Sequence, residues 1–213
     1  MQTRSQRTFA TVLAVIALTG ASWMIARKTA AVVLPQAPAY RQKGPTDAKV
    51  VIWEYSDFQC PACRAGVAPL KQIEKMFAGK IRVIFKHYPL RMHVWARGAA
   101  AAAECAGQQG KFWDFHDLLF AEQPIWSQHD YKEVEKVKSK FKEYGKTVGL
   151  DVTALDACMN DAATAQTVTA EILDAQNAWI NSTPTFFING RRFVGAGQLR
   201  TLGLNHIENE LAK

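Results

Sequence analysis

Metal-ligand spacing is what this sequence most plainly lacks. Its 213 residues hold four cysteines and five histidines, and no histidine stands in an HxxxH or a CxxH pattern. Cys60 and Cys63 form a CxxC, half of a zinc site, but Cys105 and Cys158 are isolated. The second Cys/His pair that tetrahedral zinc needs is therefore missing, and neither a metal nor any other cofactor is expected. Charge of one sign is also scarce. The net charge of +7 comes from 26 basic and 19 acidic residues, and residues 1–28 alone hold four positive charges and no acidic ones. Without that segment 22 basic residues face 19 acidic ones, a balance of +3. No basic stripe is interleaved with aromatics, which argues against nucleic acid as a partner.

An apolar run of about 18 residues, Phe9 to Ala26, follows Arg4 and Arg7 and is closed by Arg27 and Lys28. A charged stretch before a hydrophobic one is the pattern of an export signal, and the run is near the lower limit for a membrane span. Gly20-Ala21-Ser22 offers a small-residue cleavage site. Residues 1–28 are thus expected to be a signal peptide or an N-terminal membrane anchor, the two readings staying open. Residues 29–45 contain prolines and no helical period, which predicts a linker, with a short edge strand allowed. Residues 46–213 are long enough to bury one core and are expected to form one domain. Disulfides form and persist in exported chains. Three pairings of four cysteines are possible, and a local CxxC pair leaves Cys105 with Cys158.

The chemistry concentrates at residues 53–63, WEYSDFQCPAC. An apolar strand, Val50 to Tyr55, precedes the CxxC, and a segment with Val67, Leu70, Ile73 and Phe77 at helical spacing follows it. The first cysteine falls at the junction of loop and helix. Unpaired N–H groups and the positive end of the helix dipole favour a thiolate there. Pro61 suits the first helical position. Glu54 interrupts an otherwise apolar strand. A carboxyl buried beside a cysteine pair is costly unless it has work or partners, so it is read as proton donor and acceptor for Cys63. The alternative is a solvent-facing or ion-paired Glu54.

Further along, Pro69 should kink the first helix, and Ile81 to His87 reads as a second strand, completing a βαβ unit with parallel pairing. A helical block follows: residues 93–108 with the alanine run Ala99 to Ala103, residues 111–122, residues 130–148, a short helix capped by Asp151, and Ala162 to Trp179. Phe112, Trp113, Phe115 and Phe120 are expected in the core. The sheet resumes at Thr185 to Ile188, turns at Asn189-Gly190 and returns through Arg192 to Val194. A helix from about Gln198 to Leu211 closes the chain, weakened by Gly203.

Four features occur in order: Glu54 six residues before the first cysteine, Cys60-Pro61-Ala62-Cys63, the segment AAAAAECAGQQGKFWDFHDLLF, and the run STPTFFING. In this combination the chain resembles the DsbA family of exported thiol–disulfide oxidoreductases, over roughly residues 45–213. The resemblance implies an α/β, thioredoxin-like fold with an inserted helical subdomain, here residues 92–180. It implies that Cys60 is an exposed nucleophile and Cys63 its buried partner, the two forming the redox-active disulfide. Pro184 would be a cis-proline against the CxxC, with Thr183 turned toward the cysteines and a substrate strand. The alternative for Pro184 is a plain turn proline. The dipeptide Pro61-Ala62 departs from the most oxidising members, which carry a histidine there. A less depressed Cys60 pKa and a less oxidising pair are therefore expected. Cys105 and Cys158 are extra to the best-known pattern, and a structural disulfide between them is expected.

The function so implied is a disulfide oxidase acting on unfolded or thiol-containing exported proteins in the periplasm or cell envelope. A membrane quinone-coupled thiol oxidase would reoxidise it, and a monomer is expected. An envelope reductase or isomerase is an alternative, although residues 29–45 are too few for an isomerase's dimerisation domain. A peptide-binding chaperone on the same scaffold is another. His93, His116 and His129 are read as caps and solvated positions, without a functional role.

Overall fold

A computed structural model describes residues 36–213; the expected signal or anchor at residues 1–28, with its apolar run 9–26, lies outside the described residues. A five-stranded sheet runs in the order β1-β3-β2-β4-β5, with β1 Gln42–Lys43, β2 Val50–Ser56, β3 Ile81–His87, β4 Thr185–Ile188 and β5 Arg191–Val194. β2 and β3 are parallel, from Val50↔Ile81 to Ser56↔His87, and are joined through α1 (Pro61–Met76). β4 lies antiparallel on the other side of β2, placing Glu54 opposite Phe186, and β5 returns antiparallel to β4. The return is tight because Asn189 and Gly190 both take positive φ, 46° and 82°, the conformation that a two-residue hairpin of this hand requires.

Alternation along β2 sorts its side chains between two cores. Val50 and Ile52 pack with Leu70 and Ile73 of α1, Phe186, Ile188 and Ile207 on one face. Tyr55 packs with Phe187 and the helix α7 (Ala162–Asn177) on the other. The same alternation puts Glu54 and Ser56 on the α1 face. Between β3 and β4 come α2 (Ala96–Gln108), α3 (Phe112–Ala121), the single turn α4 (Gln123–Trp126), α5 (Val134–Thr147), α6 (Val152–Met159) and α7. Phe112, Phe115, Phe120, Trp126 and Phe141 form their shared core, while Trp113 is only partly buried. Asp151 caps α6 by accepting from Thr153 N and Ala154 N at 2.8 and 3.0 Å, satisfying amides that the helix start leaves without partners.

Two expectations need correction. The short edge strand allowed before the domain is present, Gln42–Lys43 paired antiparallel with β3, but residues 39–43 belong to the folded domain and not to a linker, since Ala39–Arg41 ahead of the strand form a 3-10 turn. Arg41 is 1 % exposed and is ion-paired with Glu104 of α2 and Glu171 of α7. Tyr40 lies so close to α2 that a Cβ at Gly107 would collide with its ring. A sequence window sees only the polar, proline-containing composition there, whereas the burial comes from partners more than sixty residues away. The final helix is also segmented. A turn α8 (Gly195–Gln198) leads through a π-type stretch at Leu199–Gly203 into α9 (Leu204–Ala212). The break coincides with Gly203, where a Cβ would press on the Gln198 carbonyl and Ile188.

Candidate active site

Cys60 is the N-cap of α1, with extended backbone (φ −75°, ψ 120°), and Pro61 follows at the first helical position. Its loop is tied down on every side. Cys60 N donates to Asp57 O at 3.0 Å, and the Gln123 side-chain amide donates to Phe58 O and Cys60 O at 2.7 and 3.0 Å. Cys63 is one turn on, fully buried, and accepts from Asp57 N at 3.4 Å. Both cysteines are free thiols. The resemblance implied an exposed Cys60, but its exposure is 7 %, because the segment before β4 covers it. Its thiol points at the Thr183 carbonyl oxygen, 3.7 Å away. The Thr183–Pro184 peptide is cis. Pro184 packs so closely on α1 that a Cβ at Gly66 would lie 3.4 Å from its Cγ.

The two thiols are driven apart electrostatically. The hydrogen bond from Cys63 lowers the Cys60 pKa, and, against the cost of burial, Thr183 and the N–H groups of Cys63 and Ala62 help to bring it to about 5. Burial pushes Cys63 the other way, and its neighbour's charge adds to the effect. Glu54 is 1 % exposed, and burial raises its carboxyl to about 7. Ser56, two residues on along the same face, lowers both Glu54 and Cys63 through its hydroxyl. Its Oγ is buried without a hydrogen bond of regular geometry, so it stands free to serve either group.

The structure therefore brings Cys60, Cys63, Thr183 and Pro184 together, with Glu54 on the same face of the sheet as α1. Cys105 and Cys158 lie elsewhere, joined by a disulfide between α2 and α6. Several neighbours were missed. Asp57 is buried and accepts from Gln59 N, Leu90 N and His93 Nδ1 at 2.7–2.8 Å. Its carboxylate three residues before Cys60 was a legible signal; the partners were not. His93 is thus tied to the active-site loop. His116, expected at a solvated or capping position, is 4 % exposed in a cage that includes Phe58, Phe85 and Phe120. Among the described residues no cluster of three His, Cys, Asp or Glu is placed to hold a metal.

Comparison with known proteins identifies the family and the fold. The family model Thioredoxin_4, described as thioredoxin, matches residues 37–203. The crystal structure of alpha-DsbA1 from Wolbachia pipientis superposes with a TM-score of 0.71 at 21% identity, covering 85% of this chain and 94% of that one. The structure of DsbA2 from Pseudomonas aeruginosa gives a TM-score of 0.63 at 27% identity, covering 83% and 97%. Among curated proteins, the Na(+)/H(+) antiporter NhaA 1 of Salinispora arenicola is 34% identical over 161 residues, 75% of this chain and 23% of the relative. The chain thus spans about a quarter of the length of the curated relatives it matches.

Proposed function

The chain belongs to the thioredoxin family Thioredoxin_4 and has a DsbA-like fold, and from that premise we propose that it is a protein disulfide oxidoreductase that introduces disulfides into exported proteins. The observation that carries this reading is the geometry of the dithiol: Cys60 caps the start of α1 with its thiol 3.7 Å from the Thr183 carbonyl of a cis peptide, and Cys63 is fully buried one turn on, a setting that holds Cys60 low, at about 5, and Cys63 high. A low-pKa thiolate is a good leaving group and a stable product, so the reduced form is favoured and the disulfide becomes an oxidant. The antiport named for the curated relative is not carried over. The match covers 23% of that protein, and no helix among the described residues is long and apolar enough to cross a membrane.

In the proposed cycle a substrate thiolate attacks Cys60 Sγ of the oxidised pair. The Cys60–Cys63 bond breaks, Cys63 leaves as thiolate, and Glu54 gives it a proton, with Ser56 alongside. A second substrate thiolate attacks the substrate sulfur of the mixed disulfide. Cys60 departs as thiolate, the substrate leaves oxidised, and two electrons remain on the dithiol. The Thr183 carbonyl beside Cys60 offers a backbone acceptor to an incoming extended segment. A membrane quinone-coupled thiol oxidase would return the pair to the disulfide. The proposed compartment is the periplasm or cell envelope, reached through residues 1–28, and the proposed state is a monomer.

The decisive experiment is the reduction potential of Cys60–Cys63 in glutathione buffers with Cys105 and Cys158 intact. A value above about −200 mV supports the oxidase, and one near or below about −250 mV moves the reading to an envelope reductase. A reduced unfolded substrate should gain disulfides in the presence of the wild type and none with Cys60→Ser. A chaperone would instead protect the substrate stoichiometrically without changing its thiols.

A further inference from the structure

Asp57 lies in the loop that leads to Cys60, and the cycle described above gives it no part. Its side chain is fully buried. A buried carboxylate is costly unless partners compensate it. Three donors do so: Gln59 N and Leu90 N at 2.8 Å each, and His93 Nδ1 at 2.7 Å. Because a carboxylate only accepts, the His93 ring donates from Nδ1. Burial raises the Asp57 carboxyl, and the bonds from Leu90 and His93 oppose the rise. The His93 side chain, 19 % exposed, forms the outer end of the arrangement.

What these bonds hold still is the Asp57 main chain. Its N–H donates to Cys63 Sγ at 3.4 Å, and its carbonyl accepts from Cys60 N at 3.0 Å. One residue thus reaches both cysteines through its backbone. The loop before α2 is laced to the same stretch at two further points. Tyr88 N donates to Ser56 O at 2.8 Å, and Trp95 N donates to Gln59 Oε1 at 2.7 Å. Cys63 itself is fully buried. When the Cys60–Cys63 bond breaks, a negative charge develops on Cys63 Sγ out of reach of bulk water. A donor fixed in place beforehand stabilises such a charge without having to reorganise as it forms.

We propose that Asp57 and His93 are a positioning pair for the exchange, in which the contact between them locks the Asp57 amide against Cys63 and so stabilises the Cys63 thiolate as it leaves. The proposal rests on the exchange reading above. In the step concerned a substrate thiolate attacks Cys60 Sγ. A bond between the substrate sulfur and Cys60 forms, the Cys60–Cys63 bond breaks, and Cys63 keeps the electron pair. The positioning pair moves no proton, and the Asp57 N–H stays on its nitrogen throughout. Before the step Cys63 is bonded to sulfur, and at the end of the cycle it is a thiol. The thiolate is met only on the way, so the aid is to rate and not to equilibrium. Reduction and reoxidation pass through the same transition state and slow together when the pair is lost.

The test uses the full chain, with glutathione as the thiol. His93→Ala and Asp57→Asn should each slow reduction of the Cys60–Cys63 disulfide by about tenfold, the worth of one hydrogen bond to a charged group. The equilibrium constant with glutathione should stay where it is in the wild type. His93→Ala, at the partly exposed end, is the variant to rely on should Asp57→Asn fail to fold. In a Cys63→Ala background the protein holds no leaving thiolate, and there His93→Ala should not slow the attack of Cys60 on oxidised glutathione. A general disturbance of the loop would slow that reaction too. Wild-type reduction rates in His93→Ala, equal slowing with and without Cys63, or an equilibrium constant that moves as far as the rate each overturn the positioning role alone. A wild type that does not exchange with glutathione overturns the exchange reading, and the positioning role with it.

Discussion

Glu54 shows how burial sets the behaviour of a single side chain. Its carboxyl is raised from an ordinary 4.5 to about 7, chiefly by desolvation. For an acid with a raised folded pKa, the cost is absent below the unfolded value, grows as pH rises from about 4.5 to 7, and is complete above that. Glu54→Gln should therefore leave the oxidised protein almost unchanged in stability at pH 4 and stabilise it at pH 8, by roughly 3 kcal/mol. Guanidinium unfolding at the two pH values checks this, and equal gains at both would show that the carboxyl is not desolvated as described. Ala62 offers the second test. It is exposed between the two cysteines, where a histidine would add a positive charge near the thiolate. Ala62→His should lower the Cys60 pKa further and raise the reduction potential of the pair, measured by thiolate absorbance and glutathione equilibration. Cys60, Cys63 and Glu54 could be singled out from sequence because their chemistry is local to one strand, one loop and one helix start. Ser56 and Asp57 stood in the same stretch, but their partners come from α1 and from the loop before α2.

The disulfide between α2 and α6 spans 53 residues of sequence and joins two helices of the shared aromatic core. Closing a loop of that length restricts the unfolded chain by about 4 kcal/mol in the chain-entropy description. The double variant Cys105→Ala, Cys158→Ala should lower the guanidinium midpoint by a corresponding amount, while the Cys60–Cys63 pair remains able to exchange with glutathione. An unchanged midpoint would mean that the cross-link adds nothing to the packing of α2 against α6. Helix boundaries were legible wherever capping chemistry marks them, as at Asp151 and Pro61. They were less so in the closing segment, where the π-type stretch at Leu199–Gly203 answers to close packing on Ile188 and not to periodicity.

The sheet and the helical block are tied together by a buried charge cluster. Arg41, ahead of β1, reaches Glu104 of α2 and Glu171 of α7, and Lys86 of β3 reaches Glu171 at 2.7 Å. Burial alone would raise Glu104, but its hydrogen bond to His87 and the charge of Arg41 pull it down to about 2. Removing Arg41 leaves Glu171 to Lys86 and Glu104 to His87, one cation short for two buried carboxylates, so Arg41→Ala should cost about 3 kcal/mol. Removal of residues 36–41 should be comparably destabilising, and thermal unfolding of both variants tests whether the segment before β1 is structural. The sequence alone does not reveal this, because Arg41 looks like one more basic residue in a proline-containing stretch. What could be read along the chain was whatever depends on neighbours in sequence: the strand–CxxC–helix unit, the parallel βαβ pairing, the Asn189-Gly190 hairpin and the helical block between β3 and β4. Folding in three dimensions settled the rest, namely how buried Cys60 is under Thr183, which groups surround Glu54, and that residues 39–43 belong to the domain. Those properties are sums of desolvation and charge over partners far apart in the chain, and such sums exist only once the partners are packed together.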